Sequence, residues 1–117
     1  MYILVVDDDP LSGELAAATL EEAGHRCALA ENAIEALERL AAEPDLELIV
    51  SDMHMPLASG LDLFREVRES GRDLPFILLT GDDPEPIRAQ EPGLSGVLIK
   101  DARLELSLPA LVADLGA

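Results

Sequence analysis

The chain has 117 residues, of which 49% are hydrophobic and only 3% aromatic, so we expect a single domain with an aliphatic core. Its 24 acidic residues against 8 basic ones give a formal net charge of −16, which argues against direct binding to nucleic acid or to an anionic membrane. There is no apolar run of membrane-spanning length and no signal peptide, and the single cysteine excludes an intrachain disulfide. We therefore expect one acidic, cytoplasmic domain over residues 1–117.

Short apolar runs alternate with amphipathic stretches along the chain. Runs that are apolar on both faces and bounded by turn residues predict buried parallel strands at residues 2–6, 46–50, 76–79 and 97–99. A weaker run over residues 25–30 predicts a further strand with Cys27 and Leu29 pointing inward. Five strands that alternate with helices imply a parallel sheet covered on both sides, with right-handed crossovers.

The intervening stretches have the caps and the apolar spacing of helices. The expected helix starts are Asp9 with Pro10, Asn32, Ser59 or Gly60, and a last start near Ser107 to Pro109. The side chains expected to face inward are Leu11, Leu15, Ala18 and Leu20, then Ile34, Leu37, Leu40 and Ala41, then Leu61, Phe64 and Val67, and finally Leu108, Leu111, Val112 and Leu115.

The stretch from Gly81 to Leu94 differs from the other helical stretches. Three prolines leave room for about two helical turns at most, and Ile87 is its only large apolar anchor. We expect a short, weakly docked and mobile fourth helix.

Polar residues follow four of the predicted strands. They are Asp7 and Asp8, Asp52, Thr80, and Lys100, which is the only lysine of the chain. In open parallel sheets the ligand site lies beyond the carboxyl ends of the strands. We therefore expect three carboxylates, a hydroxyl and a lysine to meet at one edge of the sheet.

Each of these features also has an ordinary structural explanation. The acidic run before Pro10 can cap a helix, Asp52 and Thr80 can be turn residues, and Lys100 can be a solvated charge. Together, carboxylates without thiols or convergent histidines suit a hard divalent cation, Mg²⁺ above all. Such a cation would bring phosphoryl oxygens to Asp52, and the hydroxyl and the lysine could bind them, which is the minimal equipment for phosphoryl transfer to a carboxylate.

Four segments of the sequence resemble the receiver domains of bacterial response regulators, and the resemblance covers essentially the whole chain. The segments are ILVVDDDP (3–10), IVSDMHMPLASGL (49–61), PFILLTG (75–81) and VLIK (97–100). The resemblance implies a flavodoxin-like (βα)5 fold, a doubly wound parallel sheet of strand order 2-1-3-4-5. It implies phosphorylation by a histidine kinase or a histidine phosphotransfer protein and leaves room for a downstream protein partner. The only chemistry it implies is self-catalysed phosphotransfer to Asp52 and autodephosphorylation.

Matched residue by residue, the resemblance assigns Asp52 as the phosphoacceptor and as a ligand of Mg²⁺ or Mn²⁺. Asp8 matches the direct metal ligand, and Asp7 matches the acid that usually holds the metal through water. The backbone carbonyl of His54 would complete the metal shell, so its imidazole is not predicted to be a ligand. The residues that match the phosphoryl-sensing hydroxyl and lysine are Thr80 and Lys100.

Four features depart from the family pattern. Asp101 stands where the family usually has proline, Val97 stands where it usually has an aromatic switch residue, and Asp82 adds an anion near the site. The fourth helix is shortened and contains prolines. All four departures lie on the side through which the family transmits its signal, so we expect an atypical output face. We expect phosphorylation to order or reposition residues 81–93, because a valine cannot act as the aromatic switch.

Two other functions are compatible with the sequence. The first is a receiver-fold interaction module whose phosphorylation is absent or not read out. The second is a Mg²⁺-dependent phosphohydrolase with Asp52 as its nucleophile, which is disfavoured because no second acid or lid sequence supports turnover. Nothing after Lys100 is long enough for an output domain, and both a stand-alone receiver and one cut from a larger kinase or regulator are compatible with the chain.

Overall fold

The structure, a computed structural model, describes residues 1–116. The strands are β1 (Tyr2–Val6), β2 (Arg26–Ala30), β3 (Leu48–Asp52), β4 (Phe76–Thr80) and β5 (Gly96–Ile99). The helices are α1 (Pro10–Glu22), α2 (Ala33–Ala42), α3 (Gly60–Glu69), α4 (Glu85–Gln90) and α5 (Leu104–Gly116). The five strands form one parallel sheet of order β2-β1-β3-β4-β5, which confirms the predicted flavodoxin-like fold and its short fourth helix.

Two hydrophobic cores lie on opposite faces of the sheet. One contains buried residues of α2 and α3, and the other contains buried residues of α1 and α5. Successive residues of β1 alternate between the two cores, as Leu4 and Val6 belong to the first and Ile3 and Val5 to the second. The central strands β3 and β4 are buried along their whole length, which explains their continuous apolar sequences.

The predicted caps at the starts of three helices are confirmed. Asp9 caps α1, Asn32 caps α2 and Ser59 caps α3, each side chain accepting a hydrogen bond from a backbone N–H of the first turn. Gly24 and Gly71 follow α1 and α3 with positive φ angles of 97° and 91°, a conformation that terminates a helix at little steric cost for glycine.

The prediction for the inward face of α1 is wrong except at Leu20. Leu11 is 76% exposed and Leu15 is 61% exposed, and Ala18 is exposed as well. The buried residues of the helix are Gly13, Ala16, Ala17 and Leu20. Small residues face the sheet because α1 packs closely on it: a Cβ at Gly13 would lie 3.4 Å from the Cβ of Asp7.

The buried residues of α2 and β2 also differ from the prediction, because small residues again face the core. In α2, Ile34 and Ala41 are exposed, Leu37 is half-buried, and the buried residues are Ala33, Ala36 and Leu40. In β2, which is an edge strand, Cys27 is half-buried and Leu29 is 41% exposed. The buried face of β2 consists instead of Ala28 and Ala30, which belong to the same core as the buried alanines of α2.

Helix α5 begins at Leu104, three residues before the predicted start, so Pro109 lies inside it. Proline has no N–H to donate to the carbonyl of Glu105, four residues before it. The helix tolerates this loss because Glu105 is an exposed residue of the first turn. The predicted inward face is confirmed, with Leu108 and Val112 buried and Leu111 and Leu115 half-buried. Within the described residues no helix has the length and hydropathy that crossing a membrane requires.

Candidate functional site

The carboxyl ends of four neighbouring strands carry the polar residues singled out in the sequence. Asp7 and Asp8 follow β1, Asp52 is the last residue of β3, Thr80 is the last residue of β4, and Lys100 follows β5. The strand β3 runs two residues later than predicted, and β4 extends one residue further. As a result Asp52 and Thr80 are held by the sheet itself, which makes their positions more rigid than those of loop residues.

Three carboxylates form a cluster at this edge of the sheet. Asp7, Asp8 and Asp52 each offer an oxygen atom, and these oxygens all lie within 4.8 Å of one another. Asp7 is 6% exposed and Asp52 is 8% exposed, whereas Asp8 is exposed to solvent. The cluster is therefore backed by protein on one side and open to water on the other.

The donor set of this cluster fits a hard divalent cation. Carboxylate oxygens are the ligands that Mg²⁺ and Mn²⁺ prefer, and oxygens bound to one Mg²⁺ at about 2.1 Å lie at most about 4.2 Å apart. The separations of up to 4.8 Å need only a small closure to reach that geometry. The same carboxylates without a cation repel one another, because they share a partly buried position.

Lys100 reaches into the carboxylate cluster. Its Nζ atom lies 3.1 Å from Oδ2 of Asp7 and 3.5 Å from Oδ1 of Asp52. Burial lowers the pKa of Lys100, but the hydrogen bond to Asp7 and the charges of Asp52 and Asp7 outweigh it, and the net pKa is raised. The only lysine of the chain is thus a charged member of the site and is not a solvated end-of-strand residue.

The ionisation of Asp52 is opposed by its surroundings. Burial raises the pKa of Asp52, the charge of Lys100 partly reverses this, and the charges of Asp7 and Asp8 raise it further. Burial is the main cause, so carboxylate repulsion is a secondary one. A cation at the cluster would favour the ionised carboxylate that a nucleophile needs.

Thr80 is fully buried and its hydroxyl is held from one side. The Oγ1 atom of Thr80 accepts a hydrogen bond of 3.1 Å from the backbone N–H of Asp82. Because a hydroxyl can accept and donate at the same time, its hydrogen stays available for a group bound near the end of β4. The sequence predicts the position of Thr80, but it does not show that the amide of Asp82 is the hydrogen-bond partner of the hydroxyl.

The ring of His54 pairs with Asp82, which is not a member of the carboxylate cluster. The Nε2 atom of His54 lies 3.1 Å from Oδ2 of Asp82, and both side chains are largely exposed. This contact links the loop after β3 to the loop after β4. The sequence alone offers no signal for this pairing.

Gly60 is a site residue that the sequence marks only as a helix start. A Cβ at Gly60 would lie 2.4 Å from the backbone oxygen of Asp52 and 2.5 Å from Cδ2 of Leu78. The N–H of Gly60 donates to the carbonyl of Met53 at 2.9 Å. Only glycine lets α3 begin this close to Asp52, so Gly60 sets the shape of the loop that follows the candidate acceptor.

A family model described as the response regulator receiver domain matches residues 3–111. The matched range includes β2 to β5, all of β1 except Tyr2, and every site residue described above. The chain belongs to the response regulator receiver domain family. It is therefore a receiver domain of two-component signal transduction, with a flavodoxin-like fold.

This receiver domain resembles known proteins in sequence and a solved structure in fold. Chemotaxis protein CheY1 of Helicobacter pylori is 35% identical over 105 residues, which cover 86% of this chain and 85% of that protein. Response regulator MprA of Mycobacterium avium is 37% identical over 108 residues, which cover 90% of this chain but only 46% of that protein. The crystal structure of response regulator protein TrrA from Thermotoga maritima, in complex with Mg²⁺-BeF, superposes with a TM-score of 0.87 at 32% identity and covers 97% of both chains.

The departures of this receiver domain from the family pattern are visible in the structure. Val97 is 1% exposed and belongs to the core beneath α3, so it is a fixed core residue. Asp101 is exposed. The helix α4 has only six residues, as the prolines of this segment predict.

Proposed function

We propose that this receiver domain accepts a phosphoryl group on the carboxylate of Asp52 from a phosphohistidine of a histidine kinase or of a histidine phosphotransfer protein. The proposal depends chiefly on the position of Asp52 at the end of a central strand. There, oxygens of Asp7 and Asp8 lie within 4.8 Å and Nζ of Lys100 lies 3.5 Å from Oδ1. A buried carboxylate between acids and one lysine is suited to bind and attack an electron-poor phosphorus.

In the proposed transfer, a carboxylate oxygen of Asp52 forms a bond to phosphorus while the phosphorus–nitrogen bond of the donor breaks. The electron pair of that bond returns to the donor imidazole. Lys100 stays protonated at this site and offsets the charge of one phosphoryl oxygen. Thr80 donates its free hydroxyl hydrogen to another oxygen, since its Oγ1 already accepts from the amide of Asp82.

The carboxylates of Asp7, Asp8 and Asp52 and the backbone carbonyl of His54 are the groups that we propose to hold Mg²⁺, with Mn²⁺ as a substitute of the same ligand preference. A bound cation would offset negative charge on the acceptor and on the transferred group. Asp8 is the exposed member of the cluster, so it is the ligand that a cation arriving from solvent meets first.

Residues 1–117 form one receiver domain that acts in the cytoplasm, where ATP-dependent kinases make phosphohistidine, and that passes its state to a downstream protein partner. Its only chemistry is self-catalysed transfer to Asp52 and autodephosphorylation. An interaction module that is never phosphorylated is not favoured, because the complete acidic site with its lysine would then have no use.

The acceptor is tested by mass spectrometry after incubation with acetyl phosphate and Mg²⁺. We expect the wild type to gain one phosphoryl group that maps to Asp52 and Asp52→Asn to gain none, because the amide lacks the nucleophilic oxygen charge. Asp45→Asn is the matched control, since Asp45 is an exposed acid at the opposite edge of the sheet. Labelling that persists in Asp52→Asn would place the acceptor elsewhere, and no labelling of the wild type would contradict the proposed function.

A further inference from the structure

A cavity lies beside the site, between α1, the end of β4 and the segment that joins β5 to α5. Its volume is about 310 Å³, and its apolar lining includes Ala16, Leu79 and Leu108. The space exists because α1 turns small side chains toward α5, with Ser12, Ala16 and Thr19 among the lining residues. We call it the α1–α5 cavity. The proposed phosphotransfer makes no use of this space.

A shallower depression continues the α1–α5 cavity along the two helices. Leu15, Thr19 and Glu105 line both spaces, so the two are continuous. At this outer depression Leu15 is 61% exposed and Leu106 is 78% exposed, although both side chains are entirely apolar. The cavity therefore opens to solvent through an apolar mouth, and a ligand that enters it covers apolar surface that is otherwise in contact with water.

The charge around the α1–α5 cavity is negative. The exposed carboxylates of Asp101 and Glu105 line the cavity, and the exposed carboxylate of Glu22 lines the outer depression. None of the three belongs to a salt bridge among the described residues. Among the described residues that line either space, Lys100 is the one basic residue, and its Nζ lies 3.1 and 3.5 Å from carboxylate oxygens of the cluster. The charge of Lys100 is therefore offset within the cluster, and the three carboxylates are left without a cation.

The size of the α1–α5 cavity suits a small molecule better than a protein segment. A dry apolar cavity of about 150 Å³ is enough for one benzene ring. The α1–α5 cavity, at about 310 Å³, therefore has room for a ring and a short chain. A helix with its side chains is about 10 Å across, so it would cover the outer depression and send only single side chains into the cavity.

We propose that the α1–α5 cavity binds a small organic cation, whose apolar body lies between Ala16, Leu79 and Leu108 and whose protonated primary amine lies at Asp101 and Glu105. Burial of the apolar body supplies the affinity, and the carboxylates supply the preference for positive charge. Because both carboxylates are exposed, we expect that preference to be about three- to fivefold in affinity. The inference goes beyond the proposed phosphotransfer and does not depend on it.

The test compares three probes that share a phenyl ring and a two-carbon skeleton and differ in the charge of the head group: phenethylamine, 2-phenylethanol and phenylacetate. Amide chemical shifts are followed by NMR with millimolar Mg²⁺, which competes with the amine for the carboxylate cluster, and with about 0.15 M salt, which screens long-range attraction. Phenethylamine should shift residues 12–19 and 100–108 with a dissociation constant of about 1 mM, the range for a ligand of about ten non-hydrogen atoms. 2-Phenylethanol should bind about three- to fivefold more weakly, and phenylacetate more weakly still.

Two variants separate the apolar and the charged parts of the α1–α5 cavity. Thr19→Leu fills the part that the cavity shares with the outer depression, and leucine is a better helix former than threonine, so the variant should fold. It should weaken phenethylamine and 2-phenylethanol alike, by about tenfold. Glu105→Gln should weaken phenethylamine by about two- to threefold and leave 2-phenylethanol unchanged. The matched control is Glu14→Gln, which removes a charge from α1 where it lines a separate depression beside Leu29 and should bind all three probes like the wild type.

Four results would overturn the inference. They are no shift with phenethylamine at about ten times the expected dissociation constant, equal affinity for phenethylamine and 2-phenylethanol, full binding in Thr19→Leu, and shifts confined to residues outside the cavity. Shifts confined to residues 7–8 and 52–53 would place the amine at the carboxylate cluster, and shifts confined to residues 22–23 and 106–109 would place it on the open surface. None of these results bears on phosphorylation, which the labelling of Asp52 tests separately.

Discussion

Asp52 combines two requirements that conflict. Its carboxylate has to be ionised to act as a nucleophile, yet burial is the largest of the influences that raise its pKa. Lys100 and a bound cation both work against this rise, because each places positive charge beside the carboxylate. Without the cation, the domain is therefore expected to be strained at this residue when the pH is neutral.

The strain at Asp52 predicts a pH-dependent stability in the absence of Mg²⁺. Folding raises the pKa of Asp52, so the protonated form of this residue favours the folded state. This contribution to the free energy of unfolding is complete below the unfolded pKa of about 3.9 and is lost as the pH rises through the folded pKa. Asp52→Asn cannot ionise, so it should melt roughly 2–5 °C above the wild type at about pH 7 and level with it at about pH 3. Thermal melts monitored by circular dichroism measure both. A wild type that melts above Asp52→Asn at neutral pH would contradict this, and Asp45→Asn should show no such pH-dependent difference.

At the scale of loops and helices, the segment between β3 and α3 carries a strained residue beside the site. Leu57 has a positive φ of 71° and is 98% exposed, so its side chain gains nothing from packing in return. For a residue other than glycine this conformation costs about 1–2 kcal/mol, and asparagine adopts it more readily. The strain lies five residues after the candidate acceptor, in the loop that ends where Gly60 begins α3.

We expect Leu57→Asn to stabilise the domain by about 0.5–1 kcal/mol, because it relieves the backbone without loss of buried surface. Denaturant unfolding of the two proteins measures the difference. Leu106→Asn is the matched control, since Leu106 is 78% exposed but lies in a regular helix, where asparagine is a poorer residue than leucine. Equal or lower stability of Leu57→Asn would mean that the leucine side chain has an interaction in this loop that outweighs the strain.

The comparison of sequence with structure shows which elements could be predicted. Strand ends and helix caps follow from local chemistry, and the parallel order of the sheet then brings Asp7, Asp52 and Lys100 together. The buried faces of α1 and α2 could not be predicted from apolar size, because close packing on the sheet selects glycine and alanine and leaves Leu15 and Ile34 outside. The pairing of His54 with Asp82 and the hydrogen bond from Arg88 to the carbonyl of Val97 could not be predicted either, since each joins residues of different elements through a single contact.

At the scale of the whole molecule, the formal net charge of −16 on 117 residues has its own effect on stability. Like charges repel across the compact fold, and the repulsion falls as salt shortens the screening length from about 10 Å at 0.1 M to about 3 Å at 1 M. Among the residues that the structure describes, the carboxylate cluster is the one group of three acids whose oxygens lie within 4.8 Å of one another. General screening and specific cation binding should therefore be separable by experiment.

We expect sodium chloride to raise the melting temperature gradually in the wild type and in Asp8→Asn alike, because screening acts on the whole surface. Millimolar Mg²⁺ at matched ionic strength should add roughly 2–5 °C in the wild type, since a cation that binds only the folded state stabilises it in proportion to its occupancy. Asp8→Asn should lose this extra rise and should be more stable than the wild type without Mg²⁺. Asp9→Asn is the sharpest control, because it removes the adjacent charge while asparagine still caps α1, and it should keep the Mg²⁺ response. A Mg²⁺ response in Asp8→Asn equal to that of the wild type would show that the cation acts on the overall charge and not at the cluster.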